Sequence, residues 1–148
     1  MKSLPLNSDQ VRAVLEKRKT MHRVVVKFQA IHGHSVFRYV HDHPDGGYQF
    51  SETDTFSDIG GKGKQPPWQV GDRLFVTDDL EVEITAIRVE RLQDISHVDC
   101  LHEGATTPLR SVNALISVFI NDWNTRNPKH PWAENPWVWV MTFKEVKR

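Results

Sequence analysis

Basic side chains crowd one short stretch of this chain. From Arg12 to Lys27 there are six cations (Arg12, Lys17, Arg18, Lys19, Arg23 and Lys27) and one acid, Glu16. Such a run can hold a phosphate or another anion. From Asp78 to Glu103 the balance reverses, with eight acids against Arg88 and Arg91. The simplest expectation is that both runs are solvated faces that pair with each other. His32, His34, His41 and His43 form two His-x-His pairs that could gather imidazoles around a metal. Zinc sites recruit Cys or carboxylates at tighter spacings, so exposed histidines beside a turn are expected, with no metal and no cofactor. Cys100, one helical turn from His97, could be a nucleophile, but a lone helical Cys is expected as a small buried apolar residue. Trp132, Trp137 and Trp139 could stack on bases.

These residues need elements to position them. Asn7 can cap a helix, Gln10 can reach back to it, and Leu6 can staple onto Val11. Val11, Val14 and Leu15 then form an apolar stripe that ends at Glu16-Lys17-Arg18-Lys19. The β-branched run Val24-Val25-Val26 places a strand over 21–28. Val36 to Val40 and Tyr48 to Phe50 read as a hairpin turning through 41–47. Residues 51–67, with Gly60, Gly61, Gly63, Pro66 and Pro67, read as a surface loop within a single domain spanning 1–148.

Gly71-Asp72 turns the chain into a strand at Arg73-Leu74-Phe75-Val76. Leu80 to Leu92 alternates for a stretch, then shifts phase at Ile87 and Val89, which predicts a bulge or a strand that becomes buried on both faces. Ser96 starts a helix that Gly104 stops. Thr107-Pro108 starts another, with Leu109, Val112, Leu115, Ile116, Phe119 and Trp123 on its apolar face. Residues 137–143 are apolar on both faces, which places that strand mid-sheet and at least one of Trp137 and Trp139 in the core. The order of elements predicts an α+β fold, a small mixed or antiparallel barrel flanked by about three helices.

Composition narrows the function. The chain has 148 residues, 39% hydrophobic and 26% charged, with zero net charge. A balanced charge argues against a protein that coats nucleic acid without regard to sequence. No apolar run is long enough for a bilayer, and the stretch MKSLPLNSDQV has no signal core. A single cysteine fits a reducing cytoplasm.

Three stretches together resemble a known family. Val11 to Thr20 is similar to the opening of ASCH domains, an amphipathic helix running into Gly-Arg-Lys-Thr. Val70-Gly71-Asp72-Arg73-Leu74-Phe75-Val76 resembles the family's Gly-Asp-Arg-Leu-Trp-Val strand. Val89 to Ser96, Glu103-Gly104 and Asn135 to Val140 resemble its phage- and prophage-encoded branch. The resemblance implies a PUA-like barrel with a basic cleft between the first helix-strand junction and the helix after the long strand. It implies RNA or modified nucleotides as ligands and the cytoplasm of a bacterial host as location. Some family members are amidohydrolases on 4-acetylcytidine, using a Lys, a Thr three residues later and a Glu on the later helix.

Carried over, these positions are Lys19, His22 and Glu103. His22 stands where the nucleophilic Thr is expected, and Lys17 stands at the motif's Gly. Lys19 could act as a base if burial or nearby cations lowered its pKa, and Glu103 could shuttle a proton or hold an exocyclic amine. An ordinary Lys19–Glu103 ion pair is the alternative. His22 could activate water, contact a base or phosphate, or be incidental. The candidate catalytic set is Lys19, Glu103 and His22; the candidate ligand-binding set is Arg18, Lys19, Thr20, His22, Arg23 and Glu103. The resulting expectation is RNA or modified-nucleotide binding. The alternatives are an amidohydrolase on an acylated nucleoside, a ribonuclease, or a phage accessory protein that binds a host protein.

Overall fold

The computed structural model describes residues 2–27, 30–31, 35–36, 39–42, 47–51 and 64–146. The chain divides into two compact units, Met1–Val25 with Gln69–Arg148, and Val26–Trp68.

The first unit carries α1 (Ser8–Leu15), β1 (Met21–Val25), β6 (Arg73–Thr77), β7 (Leu80–Arg91), α2 (His97–His102), α3 (Val112–Arg126) and β8 (Trp137–Glu145). Its sheet is antiparallel in the order β1-β8-β7-β6. β8 is therefore interior, as its two-sided apolar pattern predicts, and both Trp137 and Trp139 are buried. The register of β7 on β8 shifts between Ile84 and Ala86, close to the phase change in the sequence. The extra residue bends β7 and strengthens its twist. The result is a curled half-barrel of four strands with three helices, an α+β architecture.

The helices cover one face of this sheet. Leu115, Phe119 and Trp123 of α3 and Cys100 of α2 pack with Met21, Leu92, Ile95, Val138 and Val140. The Trp123 indole N–H is satisfied by the His130 carbonyl at 2.8 Å. α3 begins four residues later than Thr107-Pro108 suggests, with Ser111 as its N-cap. Leu109 and Val112 consequently lie outside the core, 65% and 51% exposed. In α1 the capping box forms as read, but the buried residues are Gln10, Ala13 and Val14, and Leu15 faces outward.

The second unit holds two antiparallel pairs. β2 (Ala30–Ile31) pairs with β3 (Ser35–Val36), and β4 (Tyr39–Asp42) pairs with β5 (Tyr48–Ser51). Val36 thus belongs to a different pair from the hairpin predicted for it. Of the stretch read as a loop, 52–63 lie outside the described residues, while Lys64 bridges Tyr48 through two backbone hydrogen bonds. His32, His34 and His43 also lie outside them.

Candidate functional site

The site is built where α1 hands over to β1. Lys17 leaves the helix with φ +63°, the left-handed conformation that a glycine adopts without cost, which explains what a Gly would do at this point of the motif. The next three residues clasp the end of α2 in antiparallel order. The Arg18 guanidinium donates to the Gly104 carbonyl at 2.8 Å, Lys19 Nζ to the Glu103 carbonyl at 3.0 Å, and the Thr20 backbone N–H to the His102 carbonyl at 2.7 Å. The His102 and Glu103 carbonyls are among the orphan acceptors that a helix C-terminus leaves open, and Gly104 is the next residue along. The approach is close because residue 104 has no side chain: a Cβ there would lie 3.1 Å from that of Ala13.

Beneath the clasp lies a buried charge network. Lys19 and Arg23 are 1% exposed, and His22 and Glu103 are 6% exposed. Lys19 Nζ also donates to the Met21 carbonyl at 2.7 Å and approaches Glu103 Oε1 at 3.5 Å. Arg23 donates to Glu103 Oε2 at 2.9 Å, Glu90 Oε1 at 2.6 Å and Asp99 Oδ2 at 3.0 Å. Arg88 extends the network outward, donating to Asp99 at 2.7 Å. The basic and acidic runs therefore meet, but largely inside the molecule. Glu90, Asp99 and Arg88 belong to the network although the sequence reading did not single them out.

Burial and neighbouring charges together set the protonation of these groups. It pulls the Lys19 pKa below the ordinary lysine value, against the opposing pull of Glu103. Burial, then the positive charges of Lys19, Arg126 and Arg23, holds His22 well below the usual histidine range, so its imidazole is neutral at pH 7. Burial works against the Arg23 charge, but Glu103 and Glu90 outweigh it, and its pKa lies above the ordinary value. Burial likewise opposes ionisation of Asp99, but Arg23 and Arg88 reverse that and bring its carboxyl below the usual range. Arg126 of α3 acts on both Lys19 and His22, a neighbour no local sequence pattern indicates.

The Lys19 ammonium has three N–H donors, and three acceptors stand within reach of them. Its geometry is that of a post that fixes Glu103. Among the described residues His22 Nδ1 is buried without a hydrogen-bond partner, and its strand position pairs with Met141 of β8. Cys100 is fully buried and burial raises its thiol to about 11, so it is a core residue and not a nucleophile. Among the described residues, no cluster of His, Cys, Asp and Glu could hold a metal ion.

Above this network lies a cleft of about 300 Å³. One wall is α1 with Asp9, Gln10, Arg12 and Ala13; the other is α3 with Val118, Phe119 and Asp122; Arg18 and residues 103–106 complete it. Two cations, Arg12 and Arg18, stand against three carboxylates, Asp9, Glu103 and Asp122, so its lining is mixed in charge. Lys19, His22 and Arg23 lie behind that lining.

A solved structure described as an ASCH domain from Lactobacillus crispatus JV V101 aligns with 99% of this chain and 81% of its own, at a TM-score of 0.54 and 15% identity. The chain has the fold of an ASCH domain. No family model matches the sequence, and neither does any curated protein. The resemblance places a basic cleft between the α1–β1 junction and α2; those segments are clasped together, and the cleft lies between α1 and α3 with a lining of mixed charge. Among the described residues, no helix is long and apolar enough to cross a membrane.

Proposed function

We propose that this ASCH-like chain binds a nucleotide of RNA, or a modified nucleoside, in the cleft between α1 and α3. The observation that carries this reading is Glu103. It lines the cleft, yet its carboxylate is 2% exposed and fixed from behind by Lys19 and Arg23. A carboxylate accepts hydrogen bonds only, and an exocyclic amine on a base is the matching donor. Prior fixing by two cations lowers the ordering cost of binding. The cleft volume lies at the lower end of small-ligand pockets, which suits a single nucleoside. Arg12, which forms no ion pair among the described residues, lies on the same wall, and its guanidinium suits a phosphate of such a ligand.

Within this reading Arg18 and Glu103 contact the ligand, while Lys19, Thr20, His22 and Arg23 hold them in place. It takes residues 1–148 as one PUA-like domain of phage or prophage origin, working in a bacterial cytoplasm where RNA is at hand. A hydrolytic reading on an acylated nucleoside draws support from the lowered Lys19 pKa. We rank it second because all three Lys19 donors have acceptors and an imidazole replaces the hydroxyl nucleophile.

The test is an NMR titration with cytidine, 4-acetylcytidine and a short RNA. Binding should shift the amides of residues 9–19 and 103–106, and Glu103→Gln should weaken it. No shift in those segments with any of the three would overturn the reading.

A further inference from the structure

We infer that Gln10 is a specificity-determining residue of the cleft, donating a hydrogen bond from its side-chain amide to an acceptor on the bound base. The inference rests on the binding role proposed above and adds a second recognition element to Glu103.

The amide orientation follows from the helix cap. The Asn7 backbone N–H donates to Gln10 Oε1 at 3.2 Å, while the Gln10 backbone N–H donates to Asn7 Oδ1 at 2.9 Å. Because the Asn7 group is a donor, its partner must be the oxygen, and Nε2 is left on the other side. Gln10 is 8% exposed and lines the cleft, yet Nε2 is buried with no hydrogen-bond partner among the described residues. Native proteins satisfy nearly all such donors, so an orphan on the wall of a cleft calls for an acceptor that arrives from outside.

The cap alone does not account for the residue type. Glutamate serves the capping box as well as glutamine, and its charge would also suit the positive end of the helix dipole. What glutamine adds is the N–H pair. The two buried polar side chains of the lining, the acceptor Glu103 and the donor Gln10, together complement a base edge with an amine beside a ring nitrogen or carbonyl.

The test separates cap from recognition. Gln10→Glu keeps the capping oxygen and the side-chain length but removes the donor. Affinities for cytidine and for 3-deazacytidine, in which C–H replaces the N3 acceptor, are measured on wild type and on this variant, with thermal melts alongside. Wild type should prefer cytidine by about tenfold, the worth of one neutral hydrogen bond in a closed site. The variant should melt below wild type, because a carboxylate oxygen replaces a buried N–H group, yet still fold, bind cytidine about tenfold more weakly and lose the preference. If wild type binds both nucleosides equally, or the variant keeps the preference, Gln10 is a helix cap and nothing more, while the cleft reading stands. If wild type binds neither, this inference falls, and the cleft reading falls with it only if 4-acetylcytidine and the short RNA fail as well.

Discussion

Lys19 and Arg23 sit among the cations that would serve to attract an anion, yet their side chains are fully enclosed. Two buried cations are tolerable because Glu103, Glu90 and Asp99 answer them, and the same arrangement makes Glu103 hard to replace. Glu103→Gln removes the one negative charge that touches both. We expect it to cost about 3 kcal/mol in urea unfolding, the range seen when one partner leaves a buried pair. A loss below about 1 kcal/mol would mean that the pair is solvated. His22 gives a second handle. Its folded pKa lies below the unfolded value of 6.5, so the unfolded chain takes up the proton first as pH falls. The stabilising contribution is complete above pH 6.5 and declines as pH drops below it. Between pH 6.5 and 5 the decline approaches about 1.4 kcal/mol per pH unit from this group. Asp99, whose folded pKa is also lowered, acts in a separate window beginning near 3.8. Denaturant midpoints for wild type and His22→Gln at pH 7 and pH 5 check this, and the variant should lose most of the dependence. Equal dependence in both proteins would assign the effect to other groups.

At the level of elements, the α1–β1 junction depends on two backbone conformations that its side chains do not favour equally. Lys17 holds φ +63° with a Cβ present. The left-handed conformation costs such a residue roughly 1–2 kcal/mol, of which the greater chain entropy of glycine takes back about 0.5–1. The Lys17–Glu145 pair, at 3.4 Å and well exposed on the lysine side, weighs little in the balance. Lys17→Gly should therefore raise stability by about 0.5 kcal/mol, an upward shift in melting temperature, and a clear fall would show the ion pair to matter more than the strain. Gly104 is the opposite case, with φ +102° and Ala13 Cβ 3.1 Å from where its own Cβ would stand. Gly104→Ala should lose about 1–3 kcal/mol by overpacking, alongside backbone strain. Much of this scale was legible in the sequence. The Asn7–Gln10 cap, the Ser96 start, the Gly104 stop and the interior β8 all declare themselves within a few residues, because caps and two-sided apolar strands are local devices. α3 misled because Thr107-Pro108 is an equally good start signal, and Ser111 captures the Ala114 N–H instead. Arg23 gave no local sign of its partners, since Glu90, Asp99 and Glu103 lie 67, 76 and 80 residues away, and the β1-β8-β7 order together with the packing of α2 on the sheet brings them together.

At the scale of the molecule, the chain has zero net charge, and burial takes Lys19 and Arg23 of the six cations in residues 12–27 out of reach of a polyanion. The sequence showed the six-to-one cationic run correctly but not its direction, because no period in residues 12–27 distinguishes a lysine under a helix end from one in water. Of the cations in that run, Arg12 and Arg18 line the cleft, and Arg18 is already engaged by Gly104 and Glu16. Each phosphate met by a cation on single-stranded RNA contributes about −0.7 to the slope of log affinity against log salt. We expect a shallow slope, between about −0.7 and −1.4, corresponding to one or two contacts. Arg12→Ala should remove about 0.7 of it. Lys2→Ala should change nothing, since Lys2 stands 3.7 Å from Asp72 and outside the cleft lining. Lys19→Ala should weaken binding by releasing Glu103 while leaving the slope as it was, because a buried ammonium displaces no counterion. Titrations of wild type and the three variants with a short RNA at two salt concentrations decide the matter. A slope much steeper than −1.4, or a fall in slope at Lys19→Ala, would mean that phosphate is held by a basic surface and not by one base in a closed cleft.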